Sequence, residues 1–105
     1  MNELEKYERD IAKDMAILYC VEKDEMYKVL RYAVVRGKLT FEKLSDILKK
    51  VYIPELTKNG VYILCVFISK LSLEGMKTHY IIKQARKYLK DWRLNINYAK
   101  PKNRK

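Results

Sequence analysis

Apolar side chains recur at helical spacing through most of this sequence, and that spacing limits the chain to one class of fold. In residues 3–21 the apolar positions lie three or four residues apart, and charged residues fill many of the positions between them. Only three Gly and two Pro interrupt the 105 residues, too few for the many turns of a β-sandwich. We therefore expect an all-α protein, a compact bundle of four to five helices with a flexible basic C-terminal tail.

Three helices are predicted before residue 52. The first covers residues 3–21 and carries acids in its first turns, where they suit the positive end of a helix. The second covers residues 24–36, and a left-handed Gly37 is expected to end it. Thr40 is expected to cap the third helix. The inward residues of that helix are Phe41, Leu44, Ile47, Leu48 and Val51.

The pattern should break at Ile53-Pro54, because a residue before proline is driven towards extended geometry. Pro54 itself suits the first turn of a new helix. Residues 61–71 are apolar at nine of eleven positions. Their β-branched content allows a strand, but the length of the run favours a helix buried on most sides. The turn-like dipeptide Asn59-Gly60 predicts a kink or a short break just before it.

The last helix should run from about Glu74 to Leu94, with Ser72 as its candidate cap. At 100° per residue, its apolar side chains gather on one side: Ile81, Ile82, Ala85, Tyr88, Leu89 and Trp92. Five bases gather on the opposite side, and we call them the basic ridge: Lys83, Arg86, Lys87, Lys90 and Arg93. His79 falls on the same side as the ridge. We expect the apolar stripe to be buried and the ridge to face solvent or a ligand.

The charge of the chain is directional. Residues 1–27 carry a net charge of −4, residues 28–74 carry +5 and residues 75–105 carry +9, within a net charge of +10 for the chain. A basic C-terminal third suggests a polyanionic partner, of which nucleic acid is the commonest. The ridge would bind phosphates, with Lys50, Lys58 and Lys70 as a second, weaker cluster. The alternative is an ordinary solvated helix face, although such faces usually mix both signs of charge.

The residue types needed for common catalytic sites are scarce. His79 is the only histidine, and the sequence has no GxxxxGK, GxGxxG, CxxC, HExxH or GxSxG motif. The sequence therefore offers few of the residues that a zinc site or Ser-His or Cys-His catalysis needs. We expect a protein that is not an enzyme and that needs no metal or cofactor.

We expect one helical domain, residues 1–94, followed by a basic flexible tail, residues 95–105. No apolar run approaches ~18 residues, and the acidic N-terminus lacks the order of a signal peptide, so no membrane association is expected. Cys20 and Cys65 stand in apolar stretches without metal-ligand spacing, which predicts buried free thiols of a cytoplasmic protein. Richness in Lys, Ile and Tyr also fits a thermophile.

Nine tyrosines are many for this length. Tyr32, Tyr52, Tyr62 and Tyr98 do not fall clearly on an apolar face. Tyrosines beside lysines can stack on nucleobases, but they are more often half-buried residues of a core or an interface.

Two functions other than RNA binding stay open. A helix-turn-helix DNA-binding regulator would use residues 41–48 as its first helix and residues 61–71 as its recognition helix. That second helix has only one base, Lys70, and few polar side chains to read base edges. An interaction module that uses its charge to find an acidic protein is the other alternative.

Residues 53–70, IPELTKNGVYILCVFISK, resemble the signature segment of the small all-helical subunit of type III-B CRISPR effector complexes, the Cmr small-subunit family. That family shows a proline, an apolar pair, an Asn-Gly and an apolar helix that ends in Phe-x-x-Ser/Ala-Lys. Those roles fall here on Pro54, Leu56, Asn59, Gly60, Val61, Leu64, Phe67, Ser69 and Lys70. The basic helix with Tyr88, Leu89 and Trp92 is also similar. Val61 replaces a usual leucine, and residues 37–52 match no part of the pattern.

The resemblance implies a non-catalytic structural subunit. Such subunits stack along a ribonucleoprotein, their basic surfaces line the duplex of guide RNA and target RNA, and neighbouring subunits cleave. The expected partners are then the RNA backbone and the other subunits of the complex. The charge asymmetry adds a possible head-to-tail self-association, in which the acidic first helix of one copy meets the basic surface of the next.

Overall fold

The computed structural model describes residues 2–99, with the side chains of residues 2–93. Over these residues the protein is a bundle of five α-helices, which confirms the all-α prediction. The helices are α1 (Glu3–Tyr19), α2 (Lys23–Gly37), α3 (Phe41–Val51), α4 (Lys58–Leu73) and α5 (Thr78–Ala99). The predicted tail is helical as far as Ala99, and residues 100–105 lie outside the described part of the chain.

In each of the first four helices, the side chain of the residue just before the helix accepts a hydrogen bond from the first turn. The Thr40 hydroxyl accepts a hydrogen bond from the Lys43 N–H at 3.0 Å, which confirms Thr40 as the cap of α3. Asn2 caps α1 in the same way, at 2.7 Å from the Glu5 nitrogen. Each cap satisfies a backbone donor that the first helical turn leaves free, so these caps fix where the helices begin.

The expected left-handed Gly37 is wrong. Gly37 is the last helical residue of α2, and Lys38 takes the left-handed conformation at φ 52°. A Cβ on Gly37 would lie 2.8 Å from Ser69 Cα and 2.9 Å from the Ser69 carbonyl oxygen. Glycine is therefore needed here for the close approach of α2 to the backbone of α4.

The expected break at Asn59-Gly60 is also wrong. Both residues lie in the first turn of α4, because Thr57 caps that helix and accepts from the Gly60 N–H at 3.1 Å. A Cβ on Gly60 would lie 2.6 Å from Leu56 Cδ1. Pro54 accordingly lies in the turn before α4, not in its first turn.

The boundary between the last two helices lies later than predicted. Ser72 is inside α4, and the helix ends at Glu74 and Gly75, where Gly75 has a φ of 84°. The Met76 N–H donates to the Leu71 carbonyl at 3.1 Å and closes the end of α4. Helix α5 therefore begins at Thr78.

Helix α4 is the most apolar of the described helices and supplies a large part of the core. Val61, Leu64, Cys65 and Ile68 are buried, and the strand alternative for residues 61–71 is excluded because this segment is helical. Helix α4 packs on α2 and α5, α1 packs on α2 and α3, and α5 also packs on α3. The main contacts of the acidic first helix are with α2 and α3, and those of the basic last helix are with α3 and α4.

The two cysteines differ. Cys65 is buried in α4, and burial raises the pKa of its thiol to about 12. Cys20 is exposed, contrary to the prediction, because it is the left-handed residue that ends α1, one position beyond the buried Tyr19. Both thiols are free. None of the described helices is long and apolar enough to cross a membrane.

Candidate nucleic-acid interface

The basic ridge stands on the exposed face of α5. All five of its side chains are exposed, whereas Ile81, Ala85 and Leu89 are buried on the opposite face. Ile82, Tyr88 and Trp92 are partly buried against the core, so the predicted division of the helix into an apolar and a basic face is confirmed. Because α5 packs on α3 and α4 through the apolar face, the core orients the ridge towards solvent.

The C-terminal end of α3 lies beside the ridge. Arg86 Nη2 donates to the carbonyl oxygen of Lys50 at 3.2 Å. One shallow depression between the two helices is lined by Lys50, His79, Ile82, Lys83 and Arg86. A second depression is lined by Lys50, Val51, Tyr52, Ile53, Arg86, Leu89, Lys90 and Arg93. Lys50 therefore joins the ridge, and we call these six bases, Lys50 with the five ridge residues, the α3/α5 surface.

The two arginines of the ridge also hold the fold. Arg86 contacts the end of α3, where free carbonyl groups favour a cation. Arg93 Nη2 lies 2.9 Å from Glu55 Oε1 and ties α5 to the segment between α3 and α4. The pKa of Glu55 lies below its ordinary value, because a hydrogen bond from its own backbone N–H and the contact with Arg93 both favour the carboxylate. The arginines are thus partly occupied by intramolecular contacts.

The three ridge lysines are not occupied in this way. Among the described residues, neither Lys83 nor Lys87 nor Lys90 has a carboxylate oxygen within 4.0 Å of its amine, and the ion pairs involve Arg9, Lys58 and Arg93 instead. These lysines follow one another at about one per helical turn, ~5.4 Å apart along the axis. They form a row of exposed charges with no carboxylate within 4.0 Å, although Asp91, the one acid of α5 among its described residues, lies four positions after Lys87. A row of cations in excess over acids attracts a polyanion.

The other two predicted bases lie elsewhere. Lys58, in the first turn of α4, forms an ion pair with Glu25 of α2. Lys70 is exposed in the last turn of the same helix, about 18 Å further along its axis at ~1.5 Å per residue. The structure therefore does not bring Lys50, Lys58 and Lys70 together as one cluster.

The described residues offer no arrangement for metal chemistry. No group of three or more His, Cys, Asp or Glu side chains in that part of the chain is placed to hold a metal ion. His79 is exposed, and its ring lies 4.8 Å from the ring of Tyr80. Tyr19 is the most strongly perturbed tyrosine: burial raises the pKa of its hydroxyl, which donates to the Leu48 carbonyl oxygen at 2.7 Å. That hydroxyl serves the packing of α1 on α3.

Sequence reasoning named Lys50 as a candidate base but missed two spatial relations of this region. Neither the position of Lys50 beside the ridge nor the pairing of Glu55 with Arg93 was predicted, because the partners are 36 and 38 residues apart. Helical periodicity describes the faces of one helix and carries no information about which helix end lies beside it. The local signal was the pair of bases, Lys49 and Lys50, in the last turn of α3.

Comparison of the chain with protein-family models, with curated proteins and with solved structures finds no match.

Proposed function

We propose that the protein is a non-catalytic, cytoplasmic subunit that holds the sugar-phosphate backbone of RNA on the α3/α5 surface. The observation that carries the proposal is the row of Lys83, Lys87 and Lys90, which is exposed and has no carboxylate partner among the described residues. Lysines of this kind bind phosphates and release counterions without reading sequence. The ridge extends over ~15 Å from its first to its last base, enough for contacts with several phosphates.

The fixed arginines support the same function. Arg86 and Arg93 join α5 to α3 and to the segment after it, so the helix that carries the lysines is held in place before a ligand arrives. A helix that is already in place adds no ordering cost of its own on binding, although the exposed lysine side chains still lose freedom.

The narrower role, a small subunit of a type III-B CRISPR effector complex, rests on the resemblance of residues 53–70. Residues of that segment take part in packing: the Leu56 side chain contacts Gly60, and the Ser69 backbone contacts Gly37. The partners of the proposed subunit are the guide RNA, the target RNA and other protein subunits. Head-to-tail self-association through α1 and the α3/α5 surface belongs to the same proposal.

The helix-turn-helix alternative receives little support from the described helices. Helix α4 would have to enter a DNA groove, yet its exposed residues include Tyr62 and Ile63, and its other faces are buried against α2 and α5. A recognition helix needs polar side chains that reach base edges. Helix α4 therefore supports DNA recognition less well than the ridge supports contact with an RNA backbone.

The test compares two charge-matched variants. One is Lys83→Glu, Lys87→Glu and Lys90→Glu on the ridge, and the control is Lys6→Glu, Lys13→Glu and Lys43→Glu on α1 and α3. All six lysines are exposed and none takes part in an ion pair between described residues. Fluorescence anisotropy of an RNA duplex at several salt concentrations gives the affinity and its salt dependence, and thermal melting verifies that each variant folds.

We expect the ridge variant to lower affinity steeply and to reduce the slope of log K against log salt by roughly three, about one for each lost phosphate contact. The control variant has the same net charge and should retain most of the affinity. Equal losses in the two variants would show that bulk charge, and not the ridge, attracts RNA, and would reject the proposal.

A further inference from the structure

A second surface lies on the side of the bundle that α2 and α4 share. Three contacts occur in the same order along both helices: Glu25 with Lys58, Tyr32 with Tyr62, and Gly37 with Ser69. The two helices therefore run parallel, and a shallow groove lies between their N-terminal halves, from Lys58 to Tyr62, with Tyr32 beside it. The proposed RNA contact on α3 and α5 does not use this groove.

Two tyrosine rings stand open at one end of the groove. The rings of Tyr32 and Tyr62 are 6.3 Å apart between centroids and 16° from parallel. Each residue is almost half exposed, 44% for Tyr32 and 46% for Tyr62. The guanidinium of Arg36 lies 5.5 Å from the centre of the Tyr32 ring. Tyr32 therefore contacts both Tyr62 and Arg36, and the remaining ring surface is that of Tyr62. Bases of single strands stack on exposed aromatic side chains in positively charged grooves.

A cavity of about 280 Å³ adjoins the ring of Tyr62. Apolar side chains and two lysines surround it: Val21, Met26, Val29 and Val61, with Lys28 and Lys58. The Asn59 amide and the Glu25 carboxylate complete the lining. A flat apolar group could therefore enter beside the Tyr62 ring while a negatively charged group contacts Lys28, because Lys58 is paired with Glu25.

The positive charge beside the groove indicates which kind of ligand it binds. Lys28 and Arg36 are exposed beside it and have no carboxylate partner among the described residues, whereas Lys58 and Glu25 neutralise each other as an ion pair. A second copy of the chain that used the same face would bring like charges together, which opposes association. An occupant with negative charges and flat rings fits both the cations and the tyrosines.

We propose that this groove binds unpaired nucleotides of a single RNA strand. A base stacks on the Tyr32–Tyr62 pair and its neighbour enters the cavity beside Tyr62, while phosphates contact Lys28 and Arg36. The inference rests on the proposed function in one respect, because it assigns a second contact to the RNA that the ridge binds. It differs in the form of the ligand, which is unpaired here and a duplex backbone there.

The test uses a single-stranded RNA of about ten nucleotides, a length within the usual site size, that carries one fluorescent 2-aminopurine. Stacking on an aromatic ring quenches this base. The variants are Tyr62→Leu and Tyr32→Leu, which keep an apolar side chain. The matched control is Tyr7→Leu, since Tyr7 is 48% exposed and lies on α1. Melting temperatures verify that the three variants fold.

We expect the wild-type protein and the Tyr7→Leu control to quench the probe. Tyr62→Leu should bind the strand about tenfold more weakly and lose the quenching, as the removal of a stacking ring does elsewhere. Unchanged affinity and quenching in Tyr62→Leu, or a wild-type complex without quenching, would overturn the inference. So would displacement of the strand by a glutamate-rich peptide of equal charge, because that site would bind charge and not bases.

The ridge variant separates the two proposals. If Lys83→Glu, Lys87→Glu and Lys90→Glu weaken duplex binding while Tyr62→Leu leaves single-strand binding unchanged, the proposed function stands and this inference fails. If the ridge variant binds the duplex normally but still quenches 2-aminopurine through Tyr62, the groove is an RNA site and the ridge is not.

Discussion

Helix propensity alone predicts that Gly37→Ala raises the free energy of unfolding, whereas the packing in the structure predicts that it lowers it. In an exposed helix the change from Gly to Ala stabilises by about 1 kcal/mol. Here the new Cβ would lie 2.8 Å from Ser69 Cα and 2.9 Å from its carbonyl oxygen, and both are backbone atoms. A side chain could rotate away from such a contact, but a backbone cannot. Helices α2 and α4 must therefore move apart.

The size of that movement sets the cost. Ordinary contact begins near 3.4 Å, so the helices must separate by roughly 0.6 Å along the line of their packing. Overpacking of a well-ordered core costs about 1–3 kcal/mol, and a contact with two backbone atoms belongs at the upper end. After the helix-propensity gain is subtracted, we expect a loss of about 2 kcal/mol in the free energy of unfolding.

Thermal melting followed by circular dichroism measures this loss. A change of about 2 kcal/mol in a domain of this size lowers Tm by roughly 10 °C. The matched comparison is Gly60→Ala, whose Cβ would meet Leu56 Cδ1 at 2.6 Å. That atom is the end of a flexible side chain, so Gly60→Ala should change the free energy of unfolding by less than about 1 kcal/mol. A Gly37→Ala protein that melts at or above the wild-type temperature would refute the close packing of α2 on α4.

Two further predictions concern buried polar groups. Tyr19→Phe removes the donor to the Leu48 carbonyl oxygen at 2.7 Å and should cost about 1–2 kcal/mol of unfolding free energy; an unchanged urea midpoint would contradict that bond. A thiol reagent should modify exposed Cys20 rapidly and Cys65 only on unfolding, because burial raises the pKa of Cys65 to about 12. A Cys20→Ser variant should then show no fast-reacting thiol, and a fast phase that persists would contradict the burial of Cys65.

Periodicity was sufficient for most of the fold. The inward residues of α3 and the two faces of α5 lie where their spacing predicts, because a helix that packs on one side records its buried face in its own sequence. Thr40 was equally readable, since an N-cap depends on a bond three residues away. Local interactions of this kind are visible in a single sequence.

Two of the wrong predictions depend on packing that a glycine's own position does not reveal, whereas those for Ser72, Pro54 and Cys20 misplace the end of a helix. Gly37 looked like a helix terminator, but its role depends on Ser69, and Gly60 looked like a break, but its role depends on the turn around Leu56. The residues that flank a glycine in the sequence do not show whether it ends a helix in the left-handed conformation or allows a close packing contact. Lys50 joined the ridge for the same reason, because α5 lies across the end of α3.

Lysine acetylation measured by mass spectrometry, with and without bound RNA duplex, shows which side chains of the protein the RNA covers. It reports each amine separately and needs no substitution. We expect RNA to protect Lys50, Lys83, Lys87 and Lys90 and to leave Lys6 and Lys13 on α1 as reactive as in the free protein. Protection spread evenly over all exposed lysines, or confined to α1, would contradict the assignment of the α3/α5 surface to RNA.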